Sequence, residues 1–378
     1  MVVDEAGSAR AWAWVEHLRA GGTTPWVAFT GSVPGTLSSG PLPGAAQLEV
    51  ARRLNHTAGA PSDQQRRLVE RVLEQGGPGR GQPDLALVGV DSDAAFGAPP
   101  VDPAQVPAPE LLRIAVGLLA DLLARNPAPA PTPAPRRVRA RPWHRDYRLA
   151  GDPLLVEVAR QSLLRAGHVP GLRAPVSVVL ADDLCAMLSD VWSWRILQGG
   201  TVRWTRWLAD WERRDTLPPR LLLDRIAARQ AADTGPSQVH VAINAPASAV
   251  ASLVGAPERS VDDPVRLSPD AVELVRQTSL VLRVLVAKEQ RPRILGTDLV
   301  PLLADEQGPP RAVLARHDDW VRRQAAGMRD RIGDAGYPVC GDLDALIPPE
   351  PVPGTRPTNG GVLDVALRTL LNFKERAL

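Results

Sequence analysis

Residues 126–135 read NPAPAPTPAP, proline alternating with small residues. Each proline fixes its φ and withholds a backbone donor, so neither a helix interior nor a central strand can run through the segment. The run is stiff, extended and poor in side chains that build a core, which makes it a linker. Everything else must fold on one side of it or the other. At 378 residues the chain is long for one core, and two domains are the expectation.

Before the linker the apolar spacing is helical. Trp12, Val15 and Leu18 share one side of a helix that Ser8 is placed to cap and Gly21 to end. Ser62 and Gln65 have capping-box spacing ahead of Leu68, Val69, Val72 and Leu73, and Gly76-Gly77 follows as a stop. Leu111, Ile114, Leu118 and Leu122 mark a third stripe. Between the last two helices, PDLALVGV (83–90) reads as a short strand.

After the linker the pattern alternates. DYRLAG (146–151), PVSVVLA (175–181) and SQVHVAI (237–243) are short β-rich runs. Asp152-Pro153 opens a helix between the first two, and Gly167 closes it. Strand, helix and strand at this spacing predict a βαβ unit and a parallel sheet. Further helices are predicted over 183–198, 201–213, 219–233, 268–288, 318–335 and 361–376. The last carries Leu363, Leu367, Leu370 and Leu371 on one side and is expected to dock; PPEPVPGTRPTNGG before it reads as a mobile loop.

Gly22-Thr23-Thr24 has the residues of a phosphate-binding turn without its context. Such a turn needs a strand before it and a helix after it, so that amide N–H groups point outward at the helix start. Here a helix precedes, Pro25 and Trp26 follow, and no lysine occurs before Lys288. The segment reads as a helix stop.

Several function classes are excluded or weakened by composition. A net charge of +2 gives no global attraction to nucleic acid or an acidic membrane. Cys185 and Cys340 are too few for a disulfide framework or a cysteine-based zinc site, and the scattered histidines form no metal-ligand pair. The opening MVVDEAGSARAWAW has acidic residues where a secretory signal has basic ones. No run reaches the ~18 apolar residues of a membrane helix. A cytoplasmic protein is expected.

The remaining candidates each have a structural and a functional reading. Asp182 and Asp183 fall where a parallel strand ends, the edge at which α/β sheets place ligands, yet an aspartate there is also a preferred helix cap. Trp204, Trp207 and Trp211 share one helical face, close to Trp192 and Trp194, so half of the 10 tryptophans lie within residues 192–211. They form either a stacking platform or a core stripe. RRVRARPWHRDYR carries Arg136, Arg137, Arg139, Arg141, Arg145 and Arg148 against one aspartate, a basic arm for nucleic acid or a solvated linker end.

Three stretches of the second half resemble the sulfotransferase-like proteins of actinobacteria, relatives of the enzymes that use 3′-phosphoadenosine-5′-phosphosulfate. VVLADDLCAMLSDVWSW resembles the family's strand-to-helix segment, DTLPPRLLLDRIAARQAADTGPSQVHVAI a later helix-then-strand segment, and DDWVRRQAAGMRDRIGDAGYPVCGDLDALIP its closing helix and ending. The likeness covers residues 143 to about 349. It implies a P-loop-like, three-layer α/β domain with a parallel sheet over 143–349, preceded by a smaller, mainly α-helical N-terminal domain (1–125) and a Pro/Ala- and Arg-rich linker (126–142), and followed by a loop and docking helix (350–378).

The departures from the family fall on its donor-binding positions. Where the family has a Pro-Lys-x-Gly-Thr-Thr loop for the 5′-phosphosulfate, this chain has DPLLVEV. The family's 3′-phosphate arginine falls on Asp182, whereas Asp183, Leu184 and Trp192 match and Ser189 sits one place from the family serine. Near a surface, two unit charges about 4 Å apart are worth ~4 kcal/mol, so reversing one sign swings donor binding by roughly twice that before screening. The resemblance therefore implies a pseudoenzyme: a non-catalytic accessory or binding protein, without a cofactor, partnered by a protein such as an active sulfotransferase in cell-envelope glycan modification. Asp182, Asp183, Ser189, Trp192, Trp204 and Trp207 are its candidate ligand-binding residues. The alternatives are an active sulfotransferase with a divergent donor site, arginine standing in for lysine, and a nucleic-acid-associated protein using the basic arm.

Overall fold

The computed structural model describes residues 5–31, 42–74, 86–90, 99–125, 146–171, 176–350 and 354–373. The chain forms two compact units, one of Met1–Ala128, Glu273–Leu303 and Pro357–Leu378, the other of Pro129–Val272 and Ala304–Arg356. The first unit begins with α1 (Glu5–Arg19), α2 (Ala45–Ala58), α3 (Asp63–Glu74) and α4 (Ala108–Arg125). The second opens with β1 (Tyr147–Gly151), α5 (Pro153–Arg165), β2 (Val176–Ala181), α6 (Leu184–Leu197), α7 (Trp204–Arg213), α8 (Leu223–Thr234), β3 (Val239–Ile243) and α9 (Ala247–Leu253). Helix α10 (Pro269–Leu285) carries the chain back into the first unit, where α11 (Arg291–Arg293) runs on through irregular turns to Leu303. The second unit then receives α12 (Asp318–Asp334) and β4 (Val339–Gly341), and α13 (Asn359–Asn372) returns to the first.

Local chemistry sets the start of α3 and the end of α1 in the helical unit. The Ser62–Gln65 box forms in both directions: Gln65 N–H donates to Ser62 Oγ at 3.1 Å, and Ser62 N–H to Gln65 Oε1 at 3.4 Å. Helix α1 ends as expected at Gly21, whose φ of +90° lets Gly22 N–H turn back to His17 O. Thr24 Oγ1 lies 3.1 Å from a nitrogen of the His17 ring and its carbonyl accepts from Trp14 Nε1, so the glycine-threonine segment is a helix stop. Ser8 is not a cap, because α1 has already begun at Glu5.

Helix α2 had no clear sequence signal, since polar Gln47, Glu49 and Asn55 are buried in it beside Leu48, Val50, Ala51 and Leu54. Those polar groups are partnered. Glu49 accepts from Arg52 and Arg53, and Asn55 Nδ2 donates to the carbonyls of Leu18 and Gly22, both at 2.8 Å. Of PDLALVGV, residues 83–85 lie outside the described residues, and among the rest Leu87 makes a single bridge to Val101.

The α/β unit holds a four-stranded sheet, order β1-β2-β3-β4, with every pairing parallel. Register places Leu149 beside Val178, Val178 beside His240, and Ala242 beside Cys340. All six residues of β2 are buried, and all but Ser177 are apolar, as suits a central parallel strand. Val178, Leu180 and Ala242 pack with Ala159 and Leu163 of α5 and Val250 and Ala251 of α9. Helix α8 packs against β1, β2 and β3.

One boundary differs from the sequence reading, which gave 143–349 to a single α/β domain. Residues 273–303 cluster with the helical unit, as does the helix after residue 357. Leu274, Val275, Leu282, Ile294, Leu295 and Leu299 are buried there, and α4 packs against Ile294–Leu299. Helix α13 docks on α4, α2 and α3 through Leu363, Leu367 and Leu370, while Leu371 is half-buried. Within the expected mobile loop, 351–353 lie outside the described residues, Thr355 bridges to Arg311, and Thr358 Oγ1 caps α13. Among the described residues no helix is long and apolar enough to cross a membrane.

At Gly151, the last residue of β1, the chain passes close against the backbone of β2. Its φ is +105°, and a Cβ there would strike the Leu180 carbonyl oxygen. Gly235 has a similar φ of +89° but open space around it. Gly151→Ala is expected to destabilise by more than about 2 kcal/mol, and Gly235→Ala by only about 1–2 kcal/mol. Urea titrations of the two variants check the difference.

Candidate functional site

Strands β1, β2 and β3 all end at one edge, and the residue after each is polar: Asp152, Asp182 and Asn244. This carboxyl edge is where parallel α/β sheets collect ligands, because helix N-termini converge there. Here the chain's own carboxylates occupy two of those termini. Asp152 Oδ1 accepts the N–H groups of Leu154 and Leu155 at 2.8 and 3.1 Å, and Pro153 has no N–H to offer. Asp183 Oδ1 accepts from Cys185 and Ala186 at 2.9 and 3.0 Å. Asp182 Oδ1 takes the Asp183 N–H at 2.8 Å.

Asp182 Oδ2 and both oxygens of the buried Asp190 meet the guanidinium of Arg266. Arg266 Nε lies 3.1 and 3.0 Å from the two oxygens of Asp190, and its Nη2 lies 2.7 Å from Asp182 Oδ2 and 2.9 Å from Asp190 Oδ2. This is the planar two-point grip that a guanidinium makes on a carboxylate. Burial works against the charge of Arg266, but its bonds to Asp190 and Asp182 outweigh it and raise its pKa.

Burial governs the acids as well. It raises the Asp152 carboxyl well above the ordinary range, the charge of Asp190 adds to this, and the α5 amides and Arg266 oppose it. Burial pushes Asp190 up to about 6 against the pull of Arg266. Asp183 is raised by burial too, with its cap bonds opposing. Asp152 Oδ2 is fully buried and has no hydrogen-bond partner among the described residues.

Beside this cluster lies a cavity of about 310 Å³ between α5, α9 and the ends of β2 and β3. Leu155, Val158, Leu180, Ala242 and Val250 give it apolar walls. Its polar lining is Asp182, Asp262, Asp263, Asn244 and Arg266. Asn244 has a φ of +46°, a left-handed turn that asparagine tolerates, with its N–H on Ala181 O.

The residues singled out in the sequence separate into distinct places. Asp182 and Asp183 stand together at the sheet edge, the second as the helix cap. Ser189 is buried, and its Oγ accepts the Arg311 N–H at 2.9 Å. Trp192 is fully buried, its Nε1 donating to Val202 O and the Arg311 guanidinium lying 4.7 Å from its ring centroid. Trp204 and Trp207 are buried and stacked at 5.5 Å, with Trp204 Nε1 on Ala312 O. None of these tryptophans lines the cavity. Arg148 pairs with Asp233, while Arg136, Arg137, Arg139, Arg141 and Arg145 lie outside the described residues.

Sequence reasoning missed Arg266, Asp190, Asn244, Asp262 and Asp263 as a group. The only signal was indirect: two adjacent aspartates after a buried strand need a cation, and none stands nearby in the sequence. Among the described residues no group of three or more His, Cys, Asp or Glu side chains is arranged to hold a metal ion. No family model, curated protein or solved structure matches the chain.

Asp152 and Asp190 hold their protons more tightly folded than unfolded, where an aspartate titrates near ~3.9. Their contribution to stability is therefore intact below about pH 4 and is lost as pH rises, for Asp190 through about 6 and for Asp152 through its own raised pKa. Asp152→Asn keeps an oxygen on the α5 amides and removes the charge, so it is expected to raise the urea midpoint at pH 7.5 but not at pH 4. Asp152→Ala loses the cap and is expected to cost about 1 kcal/mol at acid pH. Arg266→Ala leaves two carboxylates without their cation and is expected to cost about 3–5 kcal/mol at neutral pH. Denaturation curves of the three variants at both pH values check these outcomes.

Proposed function

We infer that this is a non-catalytic binding protein built on a sulfotransferase-like scaffold, an accessory to an active partner in cell-envelope glycan modification. The observation that carries the reading is the start of α5. At the place where the family's loop cradles a phosphosulfate, Asp152 accepts the free N–H groups itself and Pro153 removes another. Helix α6 begins in the same way, with Asp183 on its first amides. An anionic donor brought to this edge meets carboxylates in place of donors, and each such encounter costs ~4 kcal/mol at about 4 Å before screening. The scaffold part of the reading rests on the resemblance and is supported by the all-parallel sheet, with α5 and α9 on one core and α8 across β1–β3. We place α8 on the opposite face, which would make the domain three-layered.

The rival reading, an active sulfotransferase with arginine in place of lysine, has Arg266 in its favour. Its guanidinium is already shared between Asp182 and Asp190. A phosphate would have to break that grip and leave both acids exposed to it.

Isothermal titration with 3′-phosphoadenosine-5′-phosphate tests the reading. The expected outcome is no saturable heat, a Kd weaker than about 1 mM, or about −4 kcal/mol. Micromolar binding would overturn it and restore the sulfotransferase.

A further inference from the structure

The geometry points to a ligand for the sheet-edge cavity: a small organic cation, a primary amine or guanidinium with an apolar body. This deepens the binding-protein reading and rests on it, since the same edge cannot serve a phosphosulfate donor as well.

Three features of the cavity define that chemistry. Its size is the first. At about 310 Å³ it stands at the small end of ligand pockets. With a water occupying ~30 Å³ in the liquid, it has room for about ten non-hydrogen atoms. Its walls are the second. Leu155, Val158, Leu180, Ala242 and Val250 form an apolar surface that favours hydrocarbon and disfavours a hard cation such as Ca²⁺ or Mg²⁺, which needs oxygen ligands on all sides.

Its charge is the third. Three aspartates line it against one arginine, and that arginine is tied to Asp182 and Asp190. Asp262 is partly satisfied by Ser162 and Arg165. Asp263 and the Asn244 side chain, both exposed, make no hydrogen bond among the described residues. A ligand ammonium therefore finds an unpaired carboxylate and an unpaired carboxamide while its hydrocarbon enters between α5 and α9. An anion of the same shape is repelled, and a neutral alcohol gains only the apolar part.

Three isosteres of nearly equal size separate these terms: cyclohexylmethylamine, cyclohexylmethanol and cyclohexanecarboxylate, each titrated calorimetrically into the full chain at pH 7.5 and low salt. The amine is expected to bind saturably, the alcohol at least about fivefold more weakly, and the carboxylate not at all. Asp263 is exposed, so Asp263→Asn and Asp263→Lys keep the fold. The first is expected to weaken the amine about three- to fivefold and leave the alcohol unchanged. The second is expected to weaken the amine more than about tenfold. Equal binding of amine and alcohol, preference for the carboxylate, no amine binding at about 10 mM, or an amine affinity indifferent to Asp263→Lys would each overturn the proposal. Titrating 3′-phosphoadenosine-5′-phosphate into the same preparation tells the two failures apart. Silence towards both ligands overturns the amine proposal alone, whereas saturable nucleotide binding overturns it together with the reading beneath it.

Discussion

Among the described residues, Arg266 is the cation that pairs with the acids at an edge where the fold has gathered Asp152, Asp182, Asp183 and Asp190. Two helices start there, both begin with an aspartate, and each cap brings a carboxyl into a buried place. Uncompensated, that much negative charge is relieved only by protonation or by opening the edge to water. The guanidinium bonds two of the acids at 2.7 and 2.9 Å, and its charge acts on the buried Asp152 only from a distance, leaving that carboxyl raised. The arrangement needs Arg266 in a fixed place, and the backbone supplies it. Ser268 N–H donates to Glu306 O and Gly308 N–H to Arg266 O, a short antiparallel bridge around Leu267 and Gln307.

That bridge explains what Ser189, Trp192 and Trp204 do. Ser189 Oγ and Trp204 Nε1 hold the backbone of Arg311 and Ala312 at 2.9 and 3.0 Å, a few residues beyond the bridge, and Arg311 lies over the Trp192 ring. The segment that bridges to the backbone beside Arg266 is thus pinned to α6 and α7. These side chains act on the edge through the backbone they anchor. The family motif singled out Ser189 and Trp192, and helical spacing singled out Trp204, as ligand contacts; all three are buried in the packing.

The legible parts of the fold were those whose causes are local. Tyr147–Gly151, Val176–Ala181 and Val239–Ile243 were readable because short β-rich runs are bounded by Gly, Pro and Asp. Asp152-Pro153 and Asp183 were readable as helix starts because a cap needs only its next three residues. What was illegible depends on distance. Arg266 lies 84 residues from Asp182 and 76 from Asp190, and no spacing rule connects them. The same holds for residues 273–303, whose apolar side chains resemble any α/β helix until the core that receives them is known. Helix α2 escaped notice because its buried Gln47, Glu49 and Asn55 blur the apolar stripe, and the groups that satisfy Glu49 and Asn55 include partners on other turns and on α1.

The electrostatics of the edge turn on which side chain follows each strand. A parallel sheet with crossover helices delivers amide donors to its carboxyl end whatever the sequence, and Gly151, with its positive φ, lets the chain turn close beside Leu180. If the next residue lacks an acceptor, those donors remain free for a phosphate. If it is aspartate, the acceptor is tethered to the donors it satisfies, at an effective concentration no free anion reaches in solution. Displacing Asp152 Oδ1 would also leave a buried carboxylate with neither oxygen bonded, a loss added to the repulsion between the two anions. The same backbone that serves anion binding elsewhere is, with aspartate at these positions, an edge whose unspent interactions are negative.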